Sequence, residues 1–207
     1  MLKGIGAAVA FLIIGNLAIL AASTWARETT TTAAPVSVQG IDNLRAVDNH
    51  VWRGGAPTTE GYKALAQAGV TTVVDLRAEE GIENDAKAVR DLGMTLVHIP
   101  IRDGQTPSRE EVDAFLAASR TSTGRVFVHC GAGVGRTGAM VGAYQVAERE
   151  LTGGAALRRN LAVGPPSLEQ IAFVARMGGD DLDKPGALVT AVSRVLDAPR
   201  RLWSRVG

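Results

Sequence analysis

Residues 126–138 constrain this chain more than any other stretch. Val126-Phe127-Val128 is a short apolar run with strand character. It leads through His129 to Cys130, the single cysteine among 207 residues. Cys130 opens a loop of small residues, Gly131-Ala132-Gly133-Val134-Gly135, and a helical pattern begins at Arg136-Thr137-Gly138. Such a strand, tight turn and helix gather backbone N–H groups around a concavity, and the helix dipole favours an anion there. Gly131, Gly133 and Gly135 tolerate the unusual dihedrals this needs and let backbone approach a ligand closely. Arg136 can grip two oxygens of a tetrahedral anion, which lysine cannot do. The thiolate is the reactive form of cysteine, and a helix N-terminus or nearby cation favours it; Cys130 is flanked by both. Thr137 brings a hydroxyl into possible reach of the sulfur. The spacing alone describes an anion cradle with a nucleophile in place.

The run His129-Cys130 to Arg136-Thr137, His-Cys-x5-Arg-Thr, resembles the signature of the cysteine-based protein tyrosine phosphatase superfamily. The resemblance covers residues 45–178 and is nearest the small dual-specificity-like branch. Val51-Trp52-Arg53-Gly54-Gly55-Ala56-Pro57, followed by Val73-Val74-Asp75-Leu76-Arg77, resembles the opening of that branch. What the resemblance implies is a phosphomonoester hydrolase of protein-tyrosine or dual-specificity type with a cysteinyl-phosphate intermediate. Cys130 would be the nucleophile, Arg136 the phosphate clamp and residues 131–135 the phosphate-binding loop. His129 would orient that loop and help tune the cysteine. The family also uses an aspartate on a mobile loop between a strand and a helix as general acid, and Asp103 matches that place. It follows the apolar Thr95–Ile99 and precedes a helix opened by a capping box, Ser108 with Glu111. Gly104 beside it would permit movement, although Asp-Gly pairs also serve as plain turns. Positioned general acids contribute roughly 10²–10⁴-fold. No cofactor is implied, and His50, His98 and His129 show no metal-ligand spacing.

Other polar residues invite blander readings. Asp75 and Arg77 end a valine-rich strand and read as a structural ion pair. Arg53 reads as a substrate contact or a structural salt bridge, and Arg102 as a substrate contact or a solvated loop charge. Gln170 reads as helix surface, with water placement the alternative. Met140, Val141, Tyr144, Ala147 and Leu151 have the spacing of a core helix face.

Strands are expected at Val51–Arg53, Val70–Leu76, Thr95–Ile99 and Arg125–His129. Helices are expected at Thr59–Ala68, Glu83–Leu92, Ser108–Ser119, Arg136–Leu151, Ala155–Leu161 and Leu168–Met177. This alternation predicts an α/β fold, a mostly parallel central sheet with helices on both faces. Residues 45–179 form the phosphatase-like domain. Residues 1–26 read as a transmembrane anchor or a signal peptide: Lys3 precedes an apolar stretch from Gly4 to Ala22, nearly long enough to span a bilayer. A retained single-pass anchor with the domain outside the cytoplasm is expected from the flanking charges, secretion after cleavage being the alternative. Residues 27–44, with Thr29 to Thr32 in a row, read as a flexible linker. Residues 180–207 read as a basic amphipathic tail, with Leu188, Val189, Val192, Val195 and Leu196 as its apolar stripe. That tail suits an anionic membrane surface or an extra helix packed on the domain.

Apolar residues make up 46% of the chain, ample for a core, and the net charge of +1 argues against nucleic acid as a partner. The expected partners are a phosphorylated protein or small molecule, and a membrane. Three other functions compete. One is a membrane-tethered phosphate-binding module without turnover. Another is a phosphoinositide or inositol phosphate phosphatase, weakened because Ala132 and Val134 stand where such relatives often carry lysines. The third, a sulfur carrier, lacks support in the Arg-Thr ending of the loop.

Overall fold

A computed structural model of the chain describes residues 2–30, 38–78, 82–178 and 184–203. Its sheet has five strands, β1 (Arg45–Ala46), β2 (Val51–Gly54), β3 (Val70–Arg77), β4 (Thr95–Ile101) and β5 (Arg125–His129). Their order is β1-β2-β5-β3-β4; only the β1–β2 pair is antiparallel. The helices are α1 (Leu2–Thr29), α2 (Thr59–Gln67), α3 (Ile82–Asp91), α4 (Arg109–Thr121), α5 (Gly135–Arg149), α6 (Gly153–Leu161), α7 (Leu168–Arg176) and α8 (Ala187–Trp203). The four expected strands are present, each within two residues of its predicted ends. The two-residue β1 was not anticipated; it is too short to carry an alternation.

Period two along the parallel strands divides the core. Val126, Val128 and Cys130, with Val51, Val74, Leu76 and Ile101, face Phe115 of α4, Met140 and Tyr144 of α5 and Phe173 of α7. Phe127 and Val73 face the opposite side, against Tyr62 and Leu65 of α2 and Val89 of α3. Each such fully buried large side chain contributes about 1.5–3 kcal/mol. In the expected α5 stripe Met140, Val141 and Tyr144 are buried, whereas Ala147 is exposed and Leu151 lies past the end of the helix.

The two ends of the chain depart from expectation. α1 runs through to Thr29, and Ile41 and Leu44 are buried beside Tyr62 and Leu65, so residues 27–29 and 38–44 are not tether. Residues 31–37 of the expected linker, and 180–183 of the expected tail, lie outside the described residues. Ala26 of α1 is buried against Leu161 and Ala162, Arg27 Nη2 donates to the Val163 carbonyl (3.2 Å), and the Arg158 guanidinium lies over the Trp25 ring. Further up α1, Asn16 Nδ2 donates to the Leu196 carbonyl of α8 (3.2 Å). Val9–Thr29 is nevertheless long and apolar enough to cross a membrane, and Ile13, Ile14, Leu17 and Leu20 are exposed.

α8 packs on α7 and α1. Its buried face is not the simple apolar stripe: Ser193 and Asp197 are buried with Leu196, while Leu188 and Val195 are exposed. The side chains of Arg200, Arg201, Trp203 and Arg205 lie outside the described residues.

Candidate active site

Cys130 follows β5 at the carboxyl end of the sheet, and alternation from Val126 and Val128 turns it toward α5. The loop after it is shaped from behind. Ala56 N donates to the Gly131 carbonyl (2.8 Å), Asn43 Nδ2 to the Ala132 carbonyl (2.9 Å), and Arg53 Nη2 to the carbonyls of Gly133 (2.9 Å) and Val134 (3.3 Å). A planar trans peptide holds its N–H opposite its C=O. With these carbonyls spent on residues 43–56, the N–H groups of the same peptides are left for the concavity. Gly133 has φ 72, and a Cβ there would stand 2.3 Å from the Gly54 backbone. A Cβ on Gly135 would meet Gln170 Oε1 at 2.4 Å. Gly131, expected to share these demands, does not have a positive φ, and a Cβ there would meet Arg136 Nη2 at an ordinary 3.8 Å.

α5 opens on this loop without a side-chain cap, whereas Thr58, Ser108, Thr152 and Ser167 cap α2, α4, α6 and α7. Its first N–H groups are therefore available to an anion. Arg136, in its first turn, is buried; Nη1 donates to the Ile101 carbonyl (3.1 Å), and Nη2 lies 3.3 Å from Asp103 Oδ1.

A cavity of about 110 Å³ joins these parts. The loop supplies Cys130, Ala132, Val134 and Gly135, the segment after β4 supplies Asp103 and Gly104, α7 supplies Gln170, and α8 supplies Asp197. Cys130, the loop and Asp103 are thus brought together, with Arg136 in contact through Asp103. The loop carrying Asp103 is hydrogen-bonded to α7. Ser167 Oγ donates to the Gly104 carbonyl and Gln170 Nε2 to the Gln105 carbonyl, both at 3.0 Å. Gly104 has φ 74, a turn conformation glycine accepts at no steric cost. Gln170 is not helix surface: it completes a capping box with Ser167, is buried and lines the cavity.

Thr137 and His129 stand apart from the cavity. Thr137 Oγ1 is buried with no hydrogen-bond partner, so the contact with sulfur anticipated for it is not formed here. His129 faces the α2–α3 side, stacked on Phe127 with centroids 5.5 Å apart. Its Nδ1 is 3.3 Å from the Cys130 carbonyl and its Nε2 3.9 Å from Asp75 Oδ2, its partner in the sheet register. Burial pulls its pKa down to about 4, so the ring is neutral at pH 7. Asp75 is pushed up by burial, yet hydrogen bonds from the Arg77 side chain and backbone bring it below its ordinary value. Asp75 and Arg77 form an ion pair (2.6 Å), which Asp85 joins.

Arg53 was misjudged at the level of sequence. It does not line the cavity and has no ion-pair partner among the described residues. It is buried, on the same sheet face as Val128 and Cys130, and donates to Asn160 Oδ1 as well as to the two loop carbonyls. Asn160 Nδ2 in turn donates to the Gly138 carbonyl in α5 (2.7 Å). Burial draws the Arg53 pKa down to about 10, opposed by the Cys130 charge; it remains a cation. Its register opposite Val128 sets its place, a relation for which the sequence held no local signal. Asp197 carried none, because it lies on a tail helix whose docking no local pattern announces.

Comparison with known proteins fits this geometry. A family model described as a DSP-PTPase phosphatase fused to NAD+ kinase matches residues 29–176. NAD kinase 2, chloroplastic, of Arabidopsis thaliana is 40% identical over 100 residues, 45% of this chain and 10% of that protein. Dual specificity protein phosphatase CDC14B of Mus musculus is 35% identical over 83 residues, 40% of this chain and 16% of that protein. The chain therefore spans only a small part of the length of these relatives. Among solved structures, P. aeruginosa TpbA aligns with a TM-score of 0.58 at 22% identity, over 80% of this chain and 98% of that one. The core catalytic domain of the PP-IP phosphatase SIW14 from S. cerevisiae aligns with a TM-score of 0.59 at 17% identity, over 70% and 91%. At such identities the structural likeness speaks for the fold alone.

Proposed function

The chain belongs to the DSP-PTPase family described as phosphatases fused to NAD+ kinase, a family of cysteine-dependent phosphatases, and from that membership we propose a phosphomonoester hydrolase working through a covalent phosphate on Cys130. The observation that carries this reading is the shared cavity of Cys130 and Asp103, with Arg136 Nη2 3.3 Å from the Asp103 carboxylate.

In the first step the Cys130 thiolate attacks phosphorus in line. An S–P bond forms, the ester P–O bond breaks, and Asp103 gives its proton to the leaving oxygen. Arg136 and the loop amides hold the equatorial oxygens, so their charge is met by donors fixed beforehand. In the second step water attacks phosphorus, its proton passes to Asp103, and the S–P bond breaks to restore the thiolate and release inorganic phosphate. Two easier displacements replace one difficult one. His129 acts on the loop from behind, through the Cys130 carbonyl.

Acid quench during turnover of an aryl phosphate, followed by peptide mass analysis, tests the intermediate. A phosphoryl adduct on Cys130 is expected; turnover with an unmodified Cys130 at the quench and no trapping in Asp103→Asn would overturn it.

The substrate assigned to this site is a phosphorylated protein or small molecule. SIW14 is described as a PP-IP phosphatase, so inositol phosphates belong in the same panel. For α1 the reading is a single-pass anchor, with the domain outside the cytoplasm. Its support is the apolar Val9–Thr29 and the charge of Lys3 ahead of it. Protease added to intact cells should remove a C-terminal tag; a fully protected tag would contradict that placement.

A further inference from the structure

The carboxamide of Gln170 joins two parts of the site that come from distant places in the chain. Its Nε2 donates to the Gln105 carbonyl (3.0 Å), just beyond Asp103, and its Oε1 accepts from Ser167 N (3.0 Å) at the start of α7. Ser167 Oγ adds a second tie to the same turn, donating to the Gly104 carbonyl. The Gln170 amide also lies against the first residue of α5. A Cβ on Gly135 would stand 2.4 Å from its Oε1 and 2.9 Å from its Nε2. Gly135 does not have a positive φ, so the glycine there makes room for this side chain and does not serve a turn. Gln170 is 3% exposed and lines the cavity with Cys130 and Asp103.

A helix cap alone does not require this amide. The third position of a capping box needs only an oxygen that accepts from the N-cap N–H, and glutamate supplies it; Glu111 does so in α4. Gln170 carries a donor as well, and that donor is spent on the turn of the acid. The Asp103 side chain is 58% exposed, so burial does not hold it. Its direction follows from the turn that carries it and from Arg136. We infer that Gln170 is a positioning residue for the general acid: by bridging the acid turn, α7 and the start of α5, it sets where Asp103 stands over the phosphate loop. It then acts on the departure of the leaving group, and not on the placing of water for the second step. This rests on the phosphatase reading above, with Asp103 as acid, and adds to it a residue from outside the signature.

The test is a double-mutant cycle with Asp103→Asn, on the full chain in detergent. It compares kcat/KM for an alkyl phosphate and an activated aryl phosphate. This parameter covers the steps through departure of the leaving group, so a residue that serves only the later attack of water leaves it unchanged. Gln170→Met keeps the volume and removes the donor and the acceptor; Gln170→Glu keeps the capping acceptor and removes only the donor. Each should lower the alkyl-to-aryl ratio by about ten- to a hundredfold when Asp103 is present. In the Asp103→Asn background each should change it by under about threefold. Thr152→Ala, which uncaps α6 instead, should leave the ratio as it is. Circular dichroism on each variant separates misfolding from positioning. An unchanged ratio in folded Gln170→Met and Gln170→Glu, or the same fall in both backgrounds, overturns the inference while leaving the phosphatase intact. So does a fall in kcat alone on both substrates with phosphate accumulating on Cys130, which would give the side chain to the water. A wild type that releases phosphate from neither substrate overturns both.

Discussion

Arg53 carries its charge into the interior with no carboxylate within ion-pair distance among the described residues; it is met by the carbonyls of Gly133 and Val134, by Asn160 and by the charge of Cys130. Removing it would release two loop carbonyls at once and let the amides behind them turn away from the phosphate. Small misplacements of this kind cost about 10²-fold. Arg53→Met should therefore lower kcat/KM for an aryl phosphate by about that factor; a loss under threefold in a folded variant would contradict the role. His129 makes a different prediction. Its ring is held at about 4 against 6.5 for an ordinary histidine, so the unfolded chain binds one more proton between those values. Its contribution is whole above pH 6.5 and is lost as pH falls toward 4, by up to about 3 kcal/mol. Urea unfolding at pH 7, 6 and 5 should show this slope in the wild type and less of it in His129→Gln; equal slopes would contradict it. At this scale the sequence spoke unevenly. That Cys130, Arg136 and Asp103 meet was legible, the first two from residue type and spacing and Asp103 from the family resemblance. Arg53 was not, because its meaning depends on which strand lies beside β5, a relation no local pattern contains.

The segment between β4 and α4 is held by α7, through Ser167 and Gln170, as well as by its own turn, Gln105 N donating to the Arg102 carbonyl (3.1 Å). A fixed acid should matter in proportion to the leaving group's need for a proton. Asp103→Asn should slow alkyl phosphates by about 10²–10⁴-fold and an activated aryl phosphate far less; equal losses on both would place Asp103 outside the proton transfer. Among the helices, the capping box at Ser108 was read from residue type, whereas the one formed by Ser167 and Gln170 emerged only in the structure, and the period-two strands gave the sheet faces. The burial of α8's Ser193 and Asp197 ran against its apolar stripe, because the helix packs where α1 and α7 leave room and not where its own pattern is most hydrophobic. α1 divides similarly, with Ala26 buried on α6 and Ile13 and Leu17 exposed at 53% and 57%. An arginine at a bilayer centre costs about 2.5–3.5 kcal/mol. Ile13→Arg with Leu17→Arg should abolish membrane association and leave aryl phosphate turnover intact; unchanged sedimentation with membranes would refute the anchor.

Across the whole molecule, a strand, a loop and a helix near the middle of the chain meet contributions from both of its ends. Residues 43–56 hold the loop from behind, β4 and α7 place the acid, and α8, in contact with α1, forms the remaining wall. The parallel sheet explains why so much converges: its carboxyl edge gathers the ends of β2, β4 and β5 at one mouth. That architecture was legible from alternating strands and helices, while the closure of the site by the tail was not. The whole account still depends on one sulfur atom. Hydrolysis of an aryl phosphate by the wild type and by Cys130→Ser is the most direct test. Turnover should vanish in the serine variant while vanadate or phosphate still binds; a Cys130→Ser protein that goes on releasing phosphate at the wild-type rate would contradict the account.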